Sequence, residues 1–303
     1  MIKKTLQYKI TEEDQGKTIE QFLRSKGYSH RLVVKLRNSP TGLTIGGKLA
    51  YTIHRLQAGE ILTAALEEEN SQNIVPVRLP LNIIYEDEDI LVINKDAGVP
   101  IHPSQGHFDH TLANAVAWYY QSKGQTLVYR AINRLDRDTT GLLVIAKHLL
   151  AGCILSDQML HRQIHRQYRA IVCGKTEKEG IIDAPIGRAE DSTVLRRIDF
   201  ENGETARTHY RLLSYDEEKD LSYISLKLDT GRTHQIRVHM GYIGHPIPGA
   251  FLYNQDYLFF APPRKPPPQP LHSYGLEFIH PLTKTPLSFT APLPKDMAAL
   301  VKE

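Results

Sequence analysis

The chain has 303 residues, 41% of them hydrophobic and 23% charged, with a formal net charge of +3. That is enough for one large domain and a small one, with the composition of a globular protein rather than a fibrous or disordered one. No apolar run approaches the roughly 18 residues a membrane helix needs, and residues 1–7 are too short and polar for a secretory signal. The expectation is therefore a cytoplasmic protein with no membrane partner. The two cysteines, Cys153 and Cys173, lie far apart in apolar segments and lack metal-type spacing, which argues against a disulfide framework or a zinc ribbon.

In chain order, residues 1–70 read as a small α/β module. Thr18, Phe22 and Leu23 mark a short helix, and Leu32, Val33 and Leu36 mark a second with i, i+1, i+4 spacing. Residues 41–48 read as a strand with a glycine turn, and 58–64 as a turn and a closing strand. Between 21 and 59 every charged residue is a cation: Arg24, Lys26, Arg31, Lys35, Arg37, Lys48 and Arg55. A one-signed segment fits a polyanion partner, and it equally fits a solvated face. Residues 71–80 read as a linker, following a polar, aperiodic stretch that begins at Glu67.

From 81 to 303 the pattern is mostly strands. Ile83-Ile84-Tyr85 and Ile90-Leu91-Val92-Ile93 flank an acidic turn and predict a hairpin. Leu112, Ala115, Val116 and Tyr119 predict a helix ended by Gly124, and 141–146 a buried strand. Residues 148–166 read as helical. Strands are expected at 168–173, 206–213 and 221–228, the second with Arg207, His209 and Arg211 on one face. Ile236, Met240 and Ile243 mark a helix stopped by Gly244. The proline-rich stretch 262–270 reads as a stiff surface connector.

Three segments have residues suited to chemistry. Arg134-Leu135-Asp136-Arg137-Asp138-Thr139-Thr140-Gly141 feeds a polar, doubly charged loop into a core strand, placing its side chains at a sheet end. Asp136 and Asp138 there could be an acid/base couple, or the run could be a charged turn with Asp–Arg pairing. Asp229-Thr230-Gly231-Arg232-Thr233-His234-Gln235-Ile236-Arg237-Val238-His239 is a turn entering a helix. Its backbone N–H groups, with Arg232 and Arg237, suit an anion, though a capped helix with solvated arginines has the same pattern. His161 and His165 sit at i, i+4, but Arg162 stands where a metalloprotease motif has its general-base Glu. A phosphate-facing basic helix end fits better than a metal site, and the loop histidines His102, His107 and His110 read the same way.

Together these runs resemble the RluA family of pseudouridine synthases. Arg134-Leu135-Asp136 with its Thr-Thr-Gly tail is similar to that family's signature, and Gly231-Arg232-Thr233-His234-Gln235-Ile236-Arg237-Val238-His239 to a second motif without a break. Tyr168-Arg169-Ala170-Ile171-Val172-Cys173-Gly174, Asn94-Lys95 with Ala97-Gly98 and His102-Pro103, and Leu271-His272 with Phe278-Ile279-His280-Pro281 resemble weaker motifs in the family's order. The chain departs from the family at Asn133, where His is usual, at Asp96 for Pro, at Arg166 for Lys and at Ala250 for Asp. Residues 1–70 loosely resemble the S4-type RNA-binding module, on Ser29-His30-Arg31 and a Gly–strand–Gly pattern.

The resemblance implies an α+β fold: a mixed, largely antiparallel sheet with flanking helices and an active-site cleft crossing it. It implies isomerisation of uridine to pseudouridine without cofactor or metal, by a monomer acting on RNA, with ribosomal RNA favoured over transfer RNA. Asp136 carries over as the catalytic carboxylate, Arg237 as its ion-pair partner and Tyr168 as the ring stacked on the flipped uracil. Arg134 carries over as the residue filling the vacated space. Arg232, His234 and the module's Arg31, Lys35 and Arg37 are the expected RNA contacts. Two rivals remain on sequence grounds: a non-catalytic RNA-binding assembly factor, and a hydrolase using Asp136 with Asp138 as a carboxylate pair.

Overall fold

The computed structural model describes residues 2–68, 74–104, 106, 108–189, 192, 195–250 and 269–301. His107, most of the 262–270 proline stretch and part of the 71–80 linker lie outside them.

The first strands form a four-stranded sheet in the order β1-β4-β2-β3, from β1 (Ile2–Lys9), β2 (Leu43–Ile45), β3 (Lys48–Leu49) and β4 (Ile61–Glu68). Two short helices, α1 (Ile19–Ser25) and α2 (His30–Arg37), pack on it. Thr18 and Gln21 close a reciprocal capping box on α1, and the Ser29 hydroxyl accepts from the Leu32 N–H to start α2. Phe22, Leu23, Leu32, Val33 and Leu36 then point inward onto Leu62, Ala64 and Leu66. β1 is an addition to the sequence reading: its register with β4 runs from Ile2↔Glu68 to Lys9↔Ile61.

The second sheet has nine strands. The sequence supplies β5 (Ile83–Glu86), β6 (Ile90–Lys95), β7 (Thr140–Ala146), β8 (His165–Cys173), β9 (Glu179–Asp183), β12 (Arg207–Asp216), β13 (Leu221–Leu228), β14 (Leu271–Ile279) and β15 (Pro286–Thr290). They line up as β5-β6-β7-β14-β8-β13-β12-β9, with β15 paired to β14. A small hairpin, β10 (Ile186–Arg188) with β11 (Arg196–Ile198), stands apart. Among the described strands only β7 and β14 run parallel, so the sheet is mixed and largely antiparallel, as the resemblance implies.

Alternation along the strands gives each face its own core. Leu143, Ile145, Tyr168, Ala170, Ile224 and Leu226 face α3 (Leu112–Ser122) and α5 (Gln235–Tyr242). Leu142, Val144, Ala146, Leu276 and Phe278 face α4 (Leu149–Leu160). A last short helix, α6 (Lys295–Ala298), follows β15. α4 also belongs to the other core, because Leu150 and Ile154 join the cluster of the four-stranded sheet. The contact is reinforced by an ion pair of Arg130 with buried Glu68, whose other oxygen accepts the Leu149 N–H at 2.9 Å.

One expectation is corrected here. The helix read over 148–166 stops at Leu160, and β8 begins at His165. Arg162 takes a left-handed φ of 58°, which breaks the helical path, so His161 and His165 do not share a helix face. His161 instead contacts Asp157 at the helix end.

Candidate active site

The Arg134–Leu135–Asp136 loop is held from below and from both sides. Lys95, at the end of β6 and 2% exposed, donates to the carbonyls of Asp96 and Arg137, each at 2.8 Å. Burial lowers its ammonium to about 8, while Asp138, Asp136 and Asp96 oppose that shift. Asn133 donates to the Leu142 carbonyl at 3.3 Å and accepts from the Val144 N–H at 2.9 Å, so it clamps the loop onto β7. At the loop's far end the Thr140 hydroxyl meets His272 Nδ1 at 2.7 Å. Gly141 follows, with φ +107°, and a Cβ there would lie 2.3 Å from the Ser273 carbonyl oxygen. Only glycine lets β7 and β14 meet at this point.

The second segment is equally fixed. Gln235, the first residue of α5, accepts from the Thr230 hydroxyl at 2.8 Å and the Arg232 N–H at 2.9 Å. It donates to the Arg207 carbonyl and the Thr208 hydroxyl, both at 3.0 Å. His239, one turn on, bridges Thr208 and the Ala184 carbonyl, each at 2.9 Å. His234 precedes α5 in a left-handed conformation, φ 57°, which turns its ring toward the carboxylate.

These supports bring together one cleft of about 130 Å³, lined by Arg134, Asp136, Arg166, Tyr168, Arg232, His234 and Arg237 with Leu135, Leu228, Ile236 and Leu271. Arg237 Nη1 stands 3.6 Å from Asp136 Oδ2, and His234 Nε2 stands 3.8 Å from the same oxygen. Arg237 is 6% exposed and Asp136 26% exposed at the side chain, so the cation is buried and the carboxylate faces the opening. Burial, and then Arg237, Arg196 and Arg134, hold the His234 imidazole below its usual range against the pull of Asp136. Tyr168 enters from β8, 4% exposed, within the central core. The cleft can hold a flat, polar ring against Tyr168 and present a carboxylate to it.

Of the expected contacts, Arg134 is exposed at the rim. Arg232 lines the cleft while paired with Glu204 and donating to the Thr205 carbonyl at 3.0 Å. Arg31, Lys35 and Arg37 are exposed on α2 and are not among the cleft's lining residues. Asp138 accepts a two-pronged bond from Arg137, both arms 3.0 Å, and is not among the residues lining the cleft. Of the four departures from the family pattern, only Arg166 lines the cleft; Asn133 and Ala250 are buried and Asp96 is exposed. The staple from Lys95 went beyond the sequence reading, although an uncompensated lysine ending an apolar strand was its visible signal.

The histidines of the other loop are occupied differently: His102 packs edge-on against Tyr129 at 5.2 Å and His110 pairs with Asp109. Asp87, Asp89 and His280 lie close enough to share an ion. Their atoms already bond one another, Tyr85, His148 and Lys4, so the group reads as a structural network.

Comparison with known proteins agrees with this geometry. A family model described as RNA pseudouridylate synthase matches residues 89–242. The chain is 38% identical over 287 residues to an uncharacterized RNA pseudouridine synthase, YjbO, of Bacillus subtilis (strain 168), covering 94% of this chain and 98% of the relative. It is 41% identical over 264 residues to the ribosomal large subunit pseudouridine synthase D of Nitrosomonas europaea, covering 86% of this chain and 76% of that one. The structure of human RNA pseudouridylate synthase domain containing 1 superposes with a TM-score of 0.58 at 26% identity, over 70% of this chain and 83% of the human one. With both sequence motifs meeting in one cleft, the chain belongs to the RNA pseudouridylate synthases, in their RluA family.

Proposed function

We propose that this protein isomerises uridine to pseudouridine in structured ribosomal RNA, with Asp136 as the reacting carboxylate. The observation that carries the reading is the approach of Arg237 to Asp136 at 3.6 Å in the cleft that Tyr168 also lines. The uracil must leave the ribose, rotate and rejoin through carbon, so the reaction gains and loses no atoms. A paired base is out of reach, and flipping it out costs on the order of a few kcal/mol. Arg134, free at the rim, is suited to fill the gap, because a guanidinium stacks on bases and binds phosphate.

Asp136 acts as an anion whether it attacks the base, attacks the sugar or removes a sugar proton. Arg237 stands beside that carboxylate to pair with it as substrate closes the cleft and water leaves. Tyr168 holds the uracil plane. Neutral His234 and the guanidinium of Arg166 line the same cleft, where they can meet phosphate or base oxygens. Residues 1–70 form an S4-like RNA-binding module whose Arg31, Lys35 and Arg37 dock phosphates, 71–80 is a linker, and 81–303 is the catalytic domain. The protein works as a monomer in the cytosol.

The relatives named for the large ribosomal subunit favour ribosomal over transfer RNA. Pseudouridine mapping in RNA from cells with and without the protein is the test. A site lost from large-subunit RNA is expected. Loss confined to transfer RNA would overturn the choice of substrate, and no lost site anywhere would overturn the reaction.

A further inference from the structure

Among the described residues a second cleft, larger than the one at Asp136, lies elsewhere. It measures about 1100 Å³ and lies on the α4 side of the sheet, where the α1–α2 turn, the end of α4 and the β14–β15 hairpin meet. Gly27 lets the turn seat closely: a Cβ there would fall 2.6 Å from Ile154 Cγ1. Cys153 Sγ, on the same helix, donates to the Ser29 hydroxyl at 3.4 Å. The floor includes Ile154, Phe278 and Leu287, and the lining cations are Arg24, Lys26, Arg162 and Lys284, with His165 beside them.

Arg24 donates to the Tyr28 carbonyl at 3.0 Å and Lys26 feels Asp14, but carboxylates within the cleft are few. Two carboxylates line the cleft; Asp157 contacts His161 and Glu277 accepts from Ser288. Among the described residues Arg162 has no side-chain partner, Lys26 lies over the Phe22 ring, and Lys284 reaches only its own turn's Pro281 carbonyl. Burial, and then the nearby Lys26, hold the Lys284 ammonium below its ordinary value. Arg162 (φ 58°) and Lys284 (φ 62°) both sit in left-handed backbone, where glycine would be less strained, yet both positions carry long cations facing one cleft.

The two clefts lie on opposite faces of the sheet and approach each other at one strand. His165 and Arg166 are neighbours on β8, His165 lining this cleft and Arg166 the other. The start of β8, with Arg162 in the turn before it, is where the two linings adjoin in sequence.

We propose that this cleft is a second RNA site: it holds a phosphodiester strand flanking the target uridine, which crosses from the catalytic cleft over residues 162–166. Arg24, Lys26, Arg162 and Lys284 meet its phosphates, and the apolar floor faces its sugars. The inference rests on the reading of the chain as an RNA-modifying enzyme. It adds a site distinct from the exposed face of α2.

The test uses the full chain and a large-subunit ribosomal RNA transcript. Arg162 and Lys284 are exposed turn residues, so Arg162→Gln with Lys284→Gln leaves the core intact. The double variant is expected to bind the transcript about tenfold more weakly at 0.1 M salt, and its slope of log K against log salt to fall by about 1.5, at roughly 0.7–0.9 per phosphate contact. In the wild-type protein, bound transcript should slow alkylation of Cys153 at least about fivefold while leaving Cys173 unchanged, because only Cys153 lines the cleft. An unchanged slope with Cys153 unprotected overturns the proposal, as does protection by an acidic polypeptide but not by RNA. Pseudouridine formation by the wild-type protein on the same transcript is scored separately. Conversion with an unprotected Cys153 sinks the cleft alone, and protection without conversion sinks the reaction alone.

Discussion

The Asp136 cleft and the N-terminal sheet use charge in opposite ways. At the cleft, Arg237 is buried to 6% exposure beside the Asp136 carboxylate, and beneath the loop Lys95, 2% exposed, holds the carbonyls of Asp96 and Arg137. On α2, Arg31, Lys35 and Arg37 are exposed side chains. Chemistry on one base needs an electrostatic field fixed before substrate arrives, and desolvation makes that field strong. Holding a long polyanion needs many weak, replaceable contacts, each screened by salt.

The sharpest way to break this comparison is at Asp136. Asp136→Asn keeps the shape and removes the charge, and turnover is expected to fall by at least about 10³-fold, with binding of RNA little changed. Assay of pseudouridine release under single-turnover conditions checks it, and retention of more than a tenth of wild-type turnover would sink the assignment. Arg237→Met follows, with turnover down by about 10²-fold and RNA affinity within about threefold. Normal turnover with collapsed affinity would make Arg237 a phosphate contact, and the contrast between fixed and diffuse charge would fail.

Removing residues 1–70 probes the other region. It should lower RNA affinity and flatten the salt dependence, since it deletes the seven cations between 21 and 59. It also uncovers Leu150 and Ile154 of α4, so a stability loss of roughly 1.5–3 kcal/mol per fully exposed side chain is expected, read as a lower Tm. Unchanged affinity and slope in a soluble truncation would make those residues a cap.

The smallest effect belongs to Glu86, which ties β5 to α3. Burial pushes its carboxyl up, but the Tyr119 and Tyr120 hydroxyls and Lys147 bring it down to about 2. A carboxylate depressed in the fold stabilises above its ordinary pKa, and that contribution disappears as pH falls from about 4.5 toward about 2. Glu86→Gln should lower Tm at neutral pH and make its acid decline shallower over that window. Parallel Tm–pH curves for the two proteins would exclude the role.

Much of the site was legible because its parts are contiguous in sequence. The runs around Asp136 and from Gly231 to His239 each fold as one turn feeding one regular element, so spacing carries their geometry. What escaped is non-local. The Lys95 staple spans 42 residues to Arg137, and the seat of Gly27 on Ile154 joins the α1–α2 turn to α4. Neither leaves a periodic trace. β1 did leave a trace, since Ile2, Leu6 and Tyr8 alternate with Lys3, Thr5, Gln7 and Lys9, but Lys4 interrupts the apolar face. The end of α4 depends on Arg162 adopting a left-handed backbone that no propensity favours.

The position of β14 bears on how the protein is made. That strand, residues 271–279, is the inner neighbour of both β7 and β8. On a ribosome adding about 5–20 residues per second, the four-stranded sheet of residues 2–68 can close many seconds before β14 emerges. Until then β7 and β8 wait with unpaired edges, and Thr140 waits for His272. The nascent large sheet is thus open at its middle, where such edges invite wrong partners. The Asp136 loop, bolted to that seam, should be among the last parts of the nascent chain to acquire its final shape.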